Sequence, residues 1–272
     1  NNESDNESTE DQIPETKPES EQEQQGADVE VIDIPGSEFC DDTNTHHCML
    51  PFPSGAFLAE DISEITGFRL NIDGEAIPDT SSAESDNMVI LDRLDGFSPS
   101  TQIFTTFEST PDIVGMATQF NISTSVEEGH SSILLNMDTG EKVHHWIELD
   151  ARAQDGEPTI LFLRTIEGLD HNAAYAVAFR NLVDGEGVKI PPSDGFRALR
   201  DTINTSSDGI EGQRSDYEIL FSKLDDSGFN RSELQSAWWF HTASTESILR
   251  DLLIMREDAE LRLGESGIGC SI

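Results

Sequence analysis

The stretch VHHWIEL, residues 143–149, decides the expected fold class because its side chains alternate in character. One face carries Val143, His145, Ile147 and Leu149, and the residues between them point the other way. A period of two is typical of a β-strand with one buried face. This stretch therefore predicts a strand of a packed sheet.

Further short strands are expected on both sides of residues 143–149, separated by turn residues, as in an all-β sandwich. They are Thr66–Ile72, Gln102–Phe107, Ser132–Asn136, Thr159–Leu163, Ala174–Phe179 and Ala237–Thr242. Helical spacing of apolar residues predicts helices from about 193 to 203, from 213 to 227, and from Ser244 or Thr245 onward. The expected class is mainly β with helical additions (α+β), an Ig-like antiparallel β-sandwich plus C-terminal helices.

Tyr175 sharpens this expectation. It stands six residues after Leu169, at the start of a predicted strand. In Ig-like sandwiches a tyrosine in this position turns its hydroxyl back onto the backbone of the preceding loop, an arrangement called a tyrosine corner. The alternative is an ordinary strand tyrosine.

The chain divides into four expected segments. Residues 1–35 consist almost entirely of polar and acidic residues with Pro, which predicts a disordered acidic tether. Residues 36–100 are turn-rich and should be extended segments packed on the sandwich. Residues 101–243 should form the sandwich, with a helical insertion at about 193–228, and residues 244–272 a C-terminal helix and tail.

The charge of the chain excludes some partners. Its 272 residues carry a formal net charge of −38, with only 16 Lys and Arg against 54 Asp and Glu. Such a surface repels nucleic acid and anionic lipid headgroups. It favours basic partners, divalent cations or a salty medium. No run of about 18 apolar residues, the length of a membrane-spanning helix, occurs in the sequence.

The cysteines leave two interpretations open. Cys40 and Cys48 flank seven residues, a spacing that suits a small disulfide loop in an oxidising compartment. His46 and His47 lie between them, so a zinc site is the alternative, although its fourth ligand is undefined. Cys270 has no obvious partner in the chain.

A serine-hydrolase site is not expected in these residues. The nucleophile elbow G-x-S-x-G needs a strand, a sharp turn and a helix. The nearest match, GHSSI at residues 129–133, has Ile in place of the last Gly, and a strand is predicted to follow the serine. GESGI at residues 264–268 fails in the same way. We therefore assign no catalytic, cofactor or metal residues.

Two further features have alternative interpretations. The acidic turns at 184–186 and at Asp225–Asp226 are candidate calcium ligands, but neither follows the EF-hand pattern, and solvated loop charges are the simpler interpretation. His144 and His145 point to opposite faces of one strand and cannot share a metal. In the strand that contains Trp238 and Trp239, only one ring can face the core.

The order of motifs resembles that in the N-terminal region of bacterial virulence-factor-lipase-like proteins, which are secreted. The resemblance covers roughly residues 40–262. The motifs are Cys48–Phe57, Thr66–Ile72, Leu91–Pro99, Asp138–Val143, Pro192–Asp201, Tyr217–Leu224, Ala237–Thr242 and Ser247–Ala259. Members of this family open with an Ig-like segment and continue into an α/β-hydrolase domain. The oxyanion-hole His-Gly stretch and the nucleophile elbow of the family lie later in the chain and are absent here.

The resemblance implies a non-catalytic accessory module that positions or anchors a lipase- or esterase-like catalytic domain outside these residues. The alternative is a stand-alone cell-surface binding or adhesion module, with calcium as its candidate ligand. Since the sequence begins at Asn1, we expect that an export signal has been removed or upstream residues trimmed. The expected location is extracellular or at the cell surface, including attachment as a periplasmic or outer-membrane lipoprotein through an upstream lipid anchor.

Overall fold

The computed structural model describes residues 30–36, 39–44, 46–76, 91–153 and 159–264. Ten strands are present in these ranges: β1 Val31–Ile32, β2 Leu58–Glu60, β3 Phe68–Leu70, β4 Ile103–Thr105, β5 Ser132–Asn136, β6 His145–Leu149, β7 Leu161–Thr165, β8 Ala174–Arg180, β9 Asn204–Thr205 and β10 Leu234–His241. Three α-helices accompany them: α1 Asp194–Asp201, α2 Asp208–Asp226 and α3 Thr245–Leu263.

The central sheet is antiparallel, with β8 between β5 and β10. Val177 of β8 lies opposite Leu134 on one side and Trp238 on the other. The odd-numbered residues of β8 face one apolar core and the even-numbered residues face another. The even-numbered positions Ala176 and Ala178 are small, so helices can approach this face closely.

A second antiparallel sheet has β7 between β4 and β6. Its inward residues Ile103, Ile147 and Leu163 belong to the same core as Val177 and Trp238 of the central sheet. The two sheets therefore share one apolar interior. The alternation predicted for residues 143–149 is confirmed, since His145 and Ile147 are buried while Trp146 is only half-buried.

Helices α1 and α2 cover the other face of the central sheet. Phe196, Tyr217 and Phe221 pack with Ala176 and Ala178 in a second core. The hydroxyl of Ser193 accepts the N–H of Phe196 and so caps α1, close to the predicted start of this helix at about residue 193. Helix α2 begins at Asp208, five residues earlier than the sequence predicts, and its N-cap is Ser207.

The described residues of the segment 36–100 form part of the fold and also pack on the sheets. The segment contributes the hairpin of β2 and β3, and Phe57, Leu70 and Phe97 enter the core between the sheets. The backbone of Phe52, between two prolines, exchanges two hydrogen bonds with that of Phe104 on β4. β4 is at the edge of its sheet, where a segment flanked by prolines can still pair with it.

The predicted disordered tether, residues 1–35, includes residues that are part of the folded structure. Ile32 and Ile34 are buried, and β1 pairs in parallel with β9. Ile32 and Ile34 supply this burial, whereas Val31 is 59% exposed. Residues 1–29 lie outside the described part of the chain.

The class of the fold, mixed sheet and helix with antiparallel sheets, is confirmed. Among the described helices, none combines the length and the apolarity that crossing a membrane requires.

Candidate functional site

Cys40 and Cys48 form a disulfide with a Cα–Cα distance of 4.4 Å. Sulfurs engaged in a disulfide cannot act as thiolate ligands, so the zinc alternative at this loop is wrong. His46 and His47 are exposed. Within the loop, Asp41 is buried and accepts hydrogen bonds from Thr43 and Ser54. Burial raises the pKa of the Asp41 carboxyl despite these hydrogen bonds.

The strand β5 begins at Ser132, directly after the serine of the elbow-like stretch, so a strand follows Ser131 as predicted. The structure also brings together a serine and a histidine that the sequence did not single out. The Oγ atom of Ser132 lies 2.8 Å from Nε2 of His145, and both side chains are 1% exposed. A substrate cannot reach this pair in the closed core, so we interpret it as a satisfied polar contact.

The hydroxyl of Tyr175 lies in the crossover between the two sheets. Its oxygen accepts the backbone N–H of Asp170 at 2.9 Å. The hydrogen bond therefore runs back onto the preceding loop, with the hydroxyl acting as acceptor. Burial raises the pKa of the Tyr175 phenol.

The carboxylates of the acidic turns accept hydrogen bonds from nearby backbone N–H groups. Oδ1 of Asp184 accepts the N–H groups of Glu186 and Val188 at 2.9 Å each. Oδ1 of Asp225 accepts the N–H of Arg231 at 2.8 Å. In the part of the chain that the structure describes, no group of three or more His, Cys, Asp or Glu side chains could hold a metal ion.

The base of α3 is held by a buried carboxylate. Asp95 accepts the backbone N–H of Ser244 at 2.9 Å and its hydroxyl at 2.6 Å, and the hydroxyl of Ser247 accepts the N–H of Asp95 at 3.2 Å. The next residue, Gly96, has φ +157° and lies so close to Ala243 that a Cβ would meet its nitrogen at 2.8 Å. Only glycine fits this approach without a backbone shift.

Arginines hold the first turns of α3 from the side. The guanidinium of Arg250 donates to the carbonyl oxygen of Arg93 at 2.9 Å and to Glu64 at 3.2 Å. Arg93 in turn pairs with Asp251 at 2.6 Å. The predicted motif Leu91–Pro99 therefore fixes the direction in which α3 leaves the fold.

Beyond its base, α3 is exposed within the part of the chain that the structure describes. Every residue from Asp251 to Gly264 falls in the exposed class. Leu252 is 62% exposed and Met255 is 66% exposed. The 19 residues of α3 span roughly 28 Å at about 1.5 Å per residue.

The uncovered side chains form an ordered surface. We call the following set the apolar stripe: Ile248, Leu249, Leu252, Leu253, Met255 and Ala259. Four of its members recur at spacings of four, three and four residues, which places them in one line along the helix. This is the spacing with which a helix contacts a groove or another helix of a partner.

The apolar stripe was visible in the sequence as a helical face, but its exposure was not, because only the tertiary structure shows what packs on a helix. The role of Asp95 could not be predicted from the sequence either, because its contact with Ser244 joins residues 149 positions apart. Comparisons of the chain with protein-family models, with curated proteins and with solved structures find no match.

Proposed function

We propose that this chain is a non-catalytic accessory module of a secreted or surface-tethered lipase- or esterase-like protein. It positions or anchors an α/β-hydrolase domain that lies outside these 272 residues. The observation that carries the proposal is the apolar stripe of α3, which is held at its base by Asp95 and is exposed among the described residues.

Physical chemistry favours a partner for this helix. Exposed apolar surface costs about 25 cal/mol per Å² relative to a covered state. The exposed part of α3, Asp251–Leu263, is short enough that on its own it would be only marginally helical in water. A domain that covers the apolar stripe therefore stabilises α3 and is itself oriented by the rigid attachment at Asp95 and Arg93.

The occupant we propose is the hydrolase domain, and the order of motifs across residues 40–262 supports it. The fold proposed for the two sheets is an Ig-like sandwich, supported by their shared core and by the bond from Tyr175 to the loop at Asp170. The disulfide of Cys40 and Cys48 supports an exported protein, because such bonds persist in oxidising compartments.

The first test is enzymatic. The chain is incubated with short-chain p-nitrophenyl esters, with and without a serine-reactive inhibitor. We expect no turnover above that of a heat-denatured sample. Turnover that the inhibitor abolishes would contradict a non-catalytic role.

The second test concerns the partner. The gene is sequenced beyond the codon for Ile272, and we expect a G-x-S-x-G elbow between a predicted strand and helix. If the gene encodes such a hydrolase domain, we expect that domain to associate with the chain through α3. We also expect the hydrolase domain to lose activity or stability when the apolar stripe is made acidic. A stop codon directly after Ile272, with no hydrolase that binds the purified chain, would overturn the proposal.

A further inference from the structure

A cavity of about 180 Å³ opens between β10, the hairpin of β2 and β3, and helix α2. Its walls include Phe68, Met137, Asp216, Ile219, Trp239 and His241. Known pockets for drug-sized ligands have volumes of about 300–1,000 Å³, so this cavity suits a smaller group. None of its wall residues belongs to α3, and it is independent of the apolar stripe.

Three rings form the aromatic part of the cavity. Trp239 and His241 are two positions apart on β10 and therefore point to the same face of the strand. The ring of Phe68 lies 5.8 Å from that of Trp239 and 5.4 Å from that of His241, measured between centroids. The ring of Phe68 therefore contacts both other rings, and the three together form one aromatic wall of the cavity.

The ring of Trp239 is held in place. A Cβ built on Gly55 would lie 2.4 Å from Cε2 of Trp239, so the indole rests directly on the backbone of Gly55. The Trp239 ring is therefore rigid before any ligand arrives, which lowers the entropy cost of binding.

The charge around the cavity is negative. Asp216 is partly buried in its wall, and within the described chain it makes no hydrogen bond or ion pair. Burial, and then the nearby charge of Glu60, raise the pKa of Asp216. Burial lowers the pKa of His241, so its ring is neutral at pH 7. No lysine or arginine is among the wall residues.

We infer that this cavity binds an alkylammonium group, such as a trimethylammonium or a protonated alkylamine. Aromatic faces attract cations through their quadrupole, and ammonium groups surrounded by rings are a recurrent use of that attraction. Asp216 supplies the opposite charge, and a bound cation would relieve its repulsion with Glu60. Met137 and Ile219 contact the alkyl part of the ligand.

The experiment compares choline with 3,3-dimethyl-1-butanol, a neutral molecule of nearly the same shape. Binding to the full chain is measured by calorimetry and by tryptophan fluorescence. We expect saturable binding of choline and none, or far weaker binding, of the neutral analogue. Equal binding of both would show an apolar pocket without cation recognition and would overturn the inference, as would the absence of saturable choline binding.

Variants locate the site. Asp216→Asn should weaken choline binding by about fivefold, the loss expected for a partly exposed charge interaction of ~1 kcal/mol. The matched control is Asp226→Asn, which removes an exposed carboxylate from the same helix and should leave choline affinity unchanged. An equal effect of the two variants would indicate attraction by net charge alone and would contradict a specific site.

Two further measurements complete the design. Trp239→Leu should abolish choline binding, whereas Trp239→Phe should retain part of it, and circular dichroism verifies that both variants are folded. Sedimentation with phosphatidylcholine vesicles distinguishes the source of the ammonium group. Co-sedimentation that Trp239→Leu abolishes identifies a lipid headgroup, and choline binding without co-sedimentation identifies a soluble ligand.

Discussion

The carboxylate of Asp95 accepts both the backbone N–H and the hydroxyl of Ser244, at 2.9 and 2.6 Å. Asp95 is fully buried, so these are charge-assisted bonds shielded from water. Ser244 is also the N-cap of α3, since its hydroxyl accepts the N–H of Ser247 at 3.1 Å. One loop side chain thereby joins the core to the start of the candidate docking helix.

Replacing Asp95 should therefore destabilise the whole fold. Asp95→Ala leaves two buried donors of Ser244 without an acceptor, and we expect the free energy of unfolding to fall by about 3 kcal/mol. Urea denaturation measures the change. Asp92→Ala is the control, because Asp92 is exposed in the same loop and should shift stability by less than about 0.5 kcal/mol. Similar losses for both variants would refute the assigned role of Asp95.

The apolar stripe should matter for association and not for folding of the isolated chain. The double variant Leu252→Glu, Met255→Glu changes two exposed side chains, and we expect a stability change within about 0.5 kcal/mol. Binding to the hydrolase domain should fall at least tenfold, the equivalent of about 1.4 kcal/mol.

The matched control uses the opposite side of α3. Ile254 and Leu261 are also exposed, but they lie away from the apolar stripe. The double variant Ile254→Glu, Leu261→Glu adds the same charge to the same helix and should leave binding nearly unchanged. Equal losses in both double variants would mean that charge, and not the apolar stripe, decides association.

Local features of this chain were predictable from sequence. Strand β5, Ser132–Asn136, matches its predicted range, and α3 is capped by Ser244, one of the two residues from which the sequence predicts this helix to begin. These signals depend on residues within a few positions of each other. The start of α2 at Asp208 was missed because the first turns of that helix contain two glycines, which weaken the helical pattern.

Tertiary relationships were not predictable in the same way. The pairing of Ile32 with Thr205, the meeting of Ser132 with His145, and the cavity wall formed by Phe68 and Trp239 all join distant parts of the chain. Local periodicity shows which face of a strand or helix is apolar, but not which other element packs against that face. The candidate site was therefore visible only as an apolar helix face, without its exposure or its attachment.

The disulfide should stabilise the folded chain because it restricts the conformations of the unfolded chain. Cys40 and Cys48 are 8 positions apart, and closing so short a loop contributes about 2–3 kcal/mol in the chain-entropy description. We expect Cys40→Ser, Cys48→Ser to lower the melting temperature, and dithiothreitol to lower that of the parent chain by a similar amount. The reductant should not affect the double variant. If dithiothreitol also lowers the melting temperature of the double variant, the effect of the reductant does not come from this disulfide.

Tyr175→Phe tests the bond that crosses between the sheets. The substitution removes the acceptor of the Asp170 N–H and leaves the ring packed against Phe240. We expect a loss of about 1–2 kcal/mol in the free energy of unfolding. Tyr175→Leu should cost more, because it also removes the stacked ring. If Tyr175→Phe unfolds at the same urea concentration as the parent chain, the hydroxyl does not stabilise the crossover.

Acid should weaken the fold through His145. Burial lowers the pKa of His145 from 6.5 to about 4, so the folded chain disfavours its charged form. The unfolded chain takes up the proton first as the pH falls below 6.5, and stability is lost progressively down to about pH 4. Across this pH range the free energy of unfolding should fall by ~3 kcal/mol because of His145. Asp41 acts in the opposite direction, because its raised pKa makes protonation favour the folded state.

The variant His145→Gln isolates this effect. Its free energy of unfolding should be lower at pH 7 but should fall less between pH 7 and pH 4.5 than that of the parent chain. His171→Gln is the control, since His171 is exposed and is not among the groups that shift the pKa of His145, so the stability curve of this variant should follow that of the parent chain. Parallel stability curves for His145→Gln and the parent chain would show that His145 is equally easy to protonate in both states. The contact between Ser132 and His145 would then be open to water, and its interpretation as a closed polar pair in the core would fail.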